Sequence, residues 1–154
     1  MDTRVQNILA LGQPGRETDR ARNCIALAIE CADELGNQEF DSCHLLSGLY
    51  REGKGIAFHV LKHFAVTQRQ IDDTLRSRQT STSDQFQINR DIKDVLNAAF
   101  AAAREMSHTY IGTEHLLIGA TSENVGAAKM LIGFGLSLSD VQIEVYHWLG
   151  HRLG

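Results

Sequence analysis

An all-α fold built from two tandem four-helix repeats is what this sequence predicts, and three observations predict it. First, GNQEFDSCHLLSGL (36–49) and SHTYIGTEHLLIGA (107–120) share a His-Leu-Leu-x-Gly pattern at an offset of 71, so that His44, Leu45, Leu46 and Gly48 correspond to His115, Leu116, Leu117 and Gly119. An internal repeat constrains architecture more strongly than any local propensity. Second, the upstream segments obey the same offset. Ala21, Cys24, Ile25, Ala28, Ala32 and Leu35 correspond to Ile92, Val95, Leu96, Ala99, Ala103 and Met106, one i, i+3/i+4 apolar stripe written twice. Third, one proline (Pro14) and 6% aromatic residues disfavour a β-sandwich and leave long helices uninterrupted.

Taken in order, residues 1–17 (MDTRVQNILALGQPGRE) form a short extension. Its apolar run is too short for a signal peptide or a membrane span, and it ends in a Gln-Pro-Gly turn, so partial mobility is expected. Repeat one covers 18–77. Thr18 is the expected N-cap of its first helix, which ends near Gly36; Ser42 is the expected N-cap of a short second helix that stops near Gly53. A third helix over 55–64 and a fourth, amphipathic one begun by Thr67 complete it. The stretch RSRQTSTSDQFQ (76–87) is polar, Ser/Thr-rich and aperiodic, which sets a linker at 78–88.

Repeat two covers 89–150, with Asn89, Thr113 and Ser137 as expected N-caps, a second helix stopping near Asn124, a third helix over 125–133, and a tail at 151–154. Past the second motif the offset drops to 70, so Ala57, Leu61, Phe64, Ile71 and Leu75 meet Ala127, Leu131, Phe134, Val141 and Val145. Each copy is too small to bury its apolar faces alone, and the two are expected to pack as one pseudo-symmetric globule.

The 154 residues carry a net charge of −4 with acidic and basic residues interspersed, so no basic stripe exists to follow a nucleic-acid backbone. Neither nucleic acid nor membrane is an expected partner. Cys24, Cys31 and Cys43 leave one thiol over in any disulfide scheme and lack zinc-site spacing, which points to a reducing, cytoplasmic compartment. No cofactor is implied. Gly48 to Gly55 reads GxxxxGK, but a P-loop needs Ser or Thr after the lysine and a strand before it; here Gly55 follows Lys54 and a helix precedes.

IGTEHLLIGA, its relative FDSCHLLSGLYREGKG, and the downstream IAFHVLKHFAVT and GAAKMLIGFGLS together resemble the double repeat of the Clp amino-terminal domain, which heads the Clp-family AAA+ unfoldases. The resemblance runs over about residues 18 to 150. It implies a non-catalytic module that docks protein substrates or adaptors, or that modulates a Clp ATPase or protease complex. An N-terminal fragment of a full-length Clp ATPase and a purely structural, dimerising helical protein stand as alternatives.

In some relatives, residues at the TEH motif bind phosphorylated arginine, the acidic side chain pairing the guanidinium while the helix start receives the phosphate. Carried onto this chain, the resemblance implies Gly112, Thr113 and Glu114 as that site, with Ser42 and Cys43 as a degenerate equivalent in repeat one. The chemistry is sound: free N–H groups and a hydroxyl suit phosphate oxygens, and a carboxylate matches a guanidinium fork. Cys43 cannot replace the carboxylate. N-capping and a favourable first-turn charge account for Thr113 and Glu114 without any ligand.

His44 and His115 repeat with the fold, and each is expected to hydrogen-bond a turn at a helix start. Cys43 beside His44 is no catalytic pair, because adjacent helical residues point about 100° apart. His59 and His63, at i, i+4, lack a third ligand for a metal. Tyr146 and Trp148 lie at the end of the last helix, where repeat one is polar, and serve either as a core cap or as an apolar patch for a partner.

Overall fold

A computed structural model describes residues 2–78 and 83–150; residues 79–82 of the expected linker and the expected tail at 151–154 lie outside the described residues. Nine helices are present among the described residues. After α1 (Thr3–Leu9), repeat one contributes α2 (Asp19–Glu34), α3 (Ser42–Glu52), α4 (Ile56–His63) and α5 (Gln68–Ser77). Repeat two contributes α6 (Asp91–Glu105), α7 (Thr113–Ala120), α8 (Gly126–Gly133) and α9 (Leu138–Trp148).

The twice-written stripe is the core. Ala21, Cys24, Ile25, Ala28 and Ala32 on α2 are fully buried, as are Ile92, Val95 and Ala99 on α6, and the buried apolar residues of both repeats form one cluster. Within each repeat the first two helices pair most closely, and glycine permits it. A Cβ at Gly48 would lie 2.1 Å from the Cys24 carbonyl oxygen, and one at Gly119 would lie 2.3 Å from that of Val95. Backbone therefore rests on backbone, and the Leu-Leu-x-Gly spacing shared by the two repeats serves packing.

The repeats are stitched together where their chains enter the helices. Two short strands, β1 (Glu39–Phe40) before α3 and β2 (Gln87–Ile88) before α6, pair in parallel. The isolated parallel bridge Glu17–Ile111 is its pseudo-symmetric mate, joining the segments before α2 and α7. This small β content is a detail added to an all-α fold, since two-residue strands follow no sequence period long enough to read.

Two expectations need correction. The extension is not loose over residues 3–9: α1 lays Val5, Ile8 and Leu9 into the core, Asp2 caps it, and Arg4 holds Asp33 with two bonds of 2.8 Å. About two turns of helix are unstable alone, so only docking on α2 reveals it. Ser42 and Thr113 are the first residues of α3 and α7 rather than their caps; Asp41 and Gly112 occupy the cap positions. Asn89 likewise stands one residue before the cap position of α6, which Arg90 occupies without a side-chain bond, although Asn89 accepts from Asp91 N–H at 2.9 Å. Thr18, Thr67 and Ser137 are caps as expected and accept from Ala21, Gln70 and Asp140 N–H.

Candidate functional site

The hydroxyls of Ser42 and Thr113 leave their own helices and cap helices of the other repeat. Ser42 Oγ accepts from Ala127 N–H at the start of α8 (2.8 Å), and Thr113 Oγ1 accepts from Ala57 N–H at the start of α4 (3.3 Å). Two helix starts thus converge at each of two pseudo-equivalent places, one formed by α3 and α8 and one by α7 and α4. Unpaired N–H groups and aligned dipoles make such a convergence electropositive.

At the first place the protein itself fills the N–H groups of Ser42, Cys43, His44, Gly126 and Ala127. Asp41 accepts from Cys43 and His44 N–H (3.0 and 3.3 Å), while the Asp91 carboxylate accepts from Ser42 N–H, Ser42 hydroxyl and Gly126 N–H (3.1, 2.6 and 3.1 Å). Burial opposes the charge on Asp41, but His44 and Arg78, which bonds it at 2.7 Å, outweigh burial and hold its carboxyl down at about 2. Cys43 is buried, and burial followed by the Asp41 charge pushes its thiol up to about 12, so it offers no thiolate.

At the second place the corresponding donors are open. The N–H groups of Ile56, Thr113 and Glu114 have no partner among the described residues. Gly112 stands in the position of Asp41 and has no side chain to cap with; Arg20 stands in the position of Asp91. A cavity of about 360 Å³ lies here, walled by Arg20, Gly55, Ile56, Tyr110, Gly112, Thr113 and Glu114 together with Thr18 and Asp19. Thr113 and Glu114 are buried, with 3% and 7% of their surface exposed. Glu114 makes no side-chain hydrogen bond or ion pair with any described residue. Its carboxylate folds over Gly112, where a Cβ would lie 2.1 Å from Oε1, and a Cβ at Gly55 would lie 2.5 Å from Thr113 Oγ1. Both glycines are therefore needed for the walls to close this far. Burial and the neighbouring Glu114 charge push the Tyr110 phenol above its usual range.

The two histidines hold these helix starts, as their repetition predicted. His44 Nδ1 accepts from Asp41 N–H (3.0 Å) and His115 Nδ1 from Gly112 N–H (2.9 Å); the far nitrogens meet Asn37 (2.9 Å) and His108 (2.8 Å). Burial, then the charge of His108, lowers His115 to about 4. His59 stacks on Trp148 with ring centres 4.9 Å apart, tying α4 to α9, and His63 lies 3.6 Å from Glu144. Among the described residues no three His, Cys, Asp or Glu side chains group to hold a metal. Trp148 remains 47% exposed beyond that stack, and Tyr146 is half-buried. Gly48 lies inside α3 and Gly53 in a left-handed turn (φ 77°), so the GxxxxGK stretch is a helix end and its cap. Sequence reasoning did not name Arg20, Ile56, Tyr110 or Asp91. The offset of 71 sets Arg20 against Asp91, a charge reversal visible in the sequence, but nothing local shows that both face helix starts.

Two four-helix repeats exchanging caps and strand pairs, with one helix-start cavity filled and its mate open, define an all-α tandem-repeat domain. The family described as the Clp repeat (R) N-terminal domain matches residues 16–134, and this chain belongs to it. It is similar to the negative regulator of genetic competence ClpC/MecB of Bacillus subtilis (36% identical over 140 residues, 88% of this chain) and to the chaperone protein ClpB of Oceanobacillus iheyensis (34% over 142 residues, 88%). The chain spans 17% of the length of each. In fold it resembles the N-terminal domains of ClpD from Arabidopsis thaliana (TM-score 0.71, 20% identity, 88% of this chain and 95% of that one) and Hsp104 from Candida albicans (0.73, 16%, 88% and 93%). No helix among the described residues is long and apolar enough to cross a membrane.

Proposed function

We propose that this chain is a non-catalytic protein-docking module of a Clp system in a reducing cytoplasm, taking protein substrates or adaptors through the repeat-two cavity. The side chain it takes is phosphorylated arginine. The phosphoryl oxygens accept from Thr113, Glu114 and Ile56 N–H, and the guanidinium forks onto Glu114. The observation that carries this reading is Glu114 itself: a carboxylate 7% exposed, lining a cavity, without any cation or donor of its own. The Glu114 oxygens open onto the cavity, where a guanidinium can fork onto them, and a phosphoryl group beside open N–H groups completes a ligand of matched charge.

Calorimetry with a phosphoarginine peptide tests it. Heat is expected from the wild-type chain and its loss from Glu114→Gln; an absence of heat at concentrations where a positive control binds removes the reading. Trp148 and Tyr146 are the proposed second surface, for an adaptor or a Clp subunit, and Trp148→Ala is expected to weaken capture of a Clp partner while leaving the peptide heat unchanged. The 17% share of its relatives' length supports a second setting for the same module, at the head of a longer Clp ATPase. Sequencing the intact reading frame decides that.

A further inference from the structure

The two helix-start places are equivalent by the repeat and reversed in charge at one position, Asp91 against Arg20. In repeat one, Asp91 gives its carboxylate to Ser42 N–H, Ser42 hydroxyl and Gly126 N–H, all within 3.1 Å. In repeat two, Arg20 holds the corresponding position at the rim of the cavity, its side chain 60% exposed and 3.8 Å from Glu52. Thr113 and Ile56, the counterparts of Ser42 and Gly126, keep open N–H groups. Gly112 for Asp41 removes the other internal carboxylate. The two carboxylates that repeat one lays on its helix starts, Asp41 and Asp91, therefore have no counterpart in repeat two, where the one internal carboxylate at the start of α4, Glu52, bonds Gly55 N–H at 2.6 Å and leaves Ile56 N–H open. A separate observation marks that cavity as one awaiting a ligand: Glu114 lines it, nine-tenths buried and unpaired.

We propose that Asp91 is a built-in occupant of the oxyanion position in repeat one, so that the chain takes an external phosphoryl group in repeat two alone and gains a second oxyanion site when the Asp91 carboxylate is removed. The unmasked site is simpler than its mate. Cys43 stands where Glu114 stands, so it accepts a bare oxyanion such as phosphate and has no carboxylate for a guanidinium. The one-sidedness rests on the reading of the repeat-two cavity given above; the unmasking does not.

The experiment is an amide ¹H–¹⁵N titration of the full chain with inorganic phosphate at constant ionic strength, run on the wild type, Asp91→Gly and Arg20→Asp. In the wild type, phosphate is expected to shift the Ile56, Thr113 and Glu114 amides and to leave Ser42 and Gly126 unmoved. In Asp91→Gly, whose fold is read from the same spectra, Ser42 and Gly126 are expected to respond as well, raising the number of responding sites from one to two. Arg20→Asp places a carboxylate beside the open N–H groups of repeat two. It is expected to shift Thr113 and Ile56 without phosphate and to abolish their response to it. Silence at Ser42 and Gly126 in folded Asp91→Gly overturns the role of Asp91, and so does a wild-type response there. Silence at Thr113 and Glu114 in the wild type overturns the one-sidedness together with the ligand reading of repeat two. Should Asp91→Gly not fold, an unchanged phosphate response in Arg20→Asp overturns the equivalence on which the proposal stands.

Discussion

Replacing Ser42 by alanine cuts the joint between the repeats at its strongest point. Ser42 is fully buried; its hydroxyl donates to Asp91 at 2.6 Å and accepts from Ala127 N–H at 2.8 Å. A hydrogen bond to a charged partner contributes about 1.5–3 kcal/mol, and a buried amide left without an acceptor costs about 1–3 kcal/mol. The two effects overlap, because Asp91 keeps Ser42 N–H and Gly126 N–H as donors. Ser42→Ala is therefore expected to cost about 2–4 kcal/mol, a large share of the roughly 5–15 kcal/mol that holds a domain together. At this chain length that is a Tm lower by about 5–15 °C. The pseudo-equivalent Thr113 makes one neutral, longer bond of 3.3 Å, so Thr113→Val is expected to cost only about 1 kcal/mol. Urea unfolding followed by circular dichroism at pH 7 measures both. A loss below about 0.5 kcal/mol for Ser42→Ala, or a larger loss for Thr113→Val, would refute the reasoning.

Two further outcomes follow from the same geometry. Gly48→Ala forces a Cβ to 2.1 Å from the Cys24 carbonyl oxygen, with neither helix backbone free to yield, and is expected to cost about 3 kcal/mol or more by the same unfolding assay. His115 has a folded pKa near 4, below its unfolded value of 6.5, so the unfolded chain takes up the proton first as pH falls. The stabilisation is complete above about pH 6.5 and is lost as pH falls to about 4, by about 3 kcal/mol in all. His115→Gln, which keeps an acceptor for Gly112 N–H, is expected to flatten that part of the stability–pH curve, and an unchanged slope in urea titrations between pH 7 and 4 would contradict the assignment.

Most of the fold was legible because the repeat is written in apolar residues, and burial is what apolar spacing reports. The stripes on α2 and α6 are buried as the spacing required, and the helix starts at Thr18, Thr67 and Ser137 bear the side chains that local capping rules favour. Ser42 and Thr113 satisfied the same local rule and yet cap other helices. A hydroxyl before an apolar run names a potential acceptor; which N–H it meets depends on where a second helix starts in space. Asp41 was passed over at α3 for the same reason, since its neighbour fitted the pattern equally well. The structural part of the histidine reading was correct because a side chain at the third helical position reaches back to the N–H of the cap.

The sequence by itself determined that this chain is a twice-written helical unit, and its resemblance to the Clp amino-terminal domain pointed to Gly112, Thr113 and Glu114. It also showed that the copies differ there, with Ser42 and Cys43 in repeat one. Only the tertiary structure decided that the difference is one of occupancy. Repeat one closes its helix starts with Asp41 and Asp91, whereas repeat two leaves a cavity with an unpaired Glu114 and an arginine at its rim. The physical reason is range: helix periodicity acts over a few residues along the chain. The bonds from Asp91 to Ser42 and to Gly126 span 49 and 35 residues, and such pairings exist only once the repeats have packed.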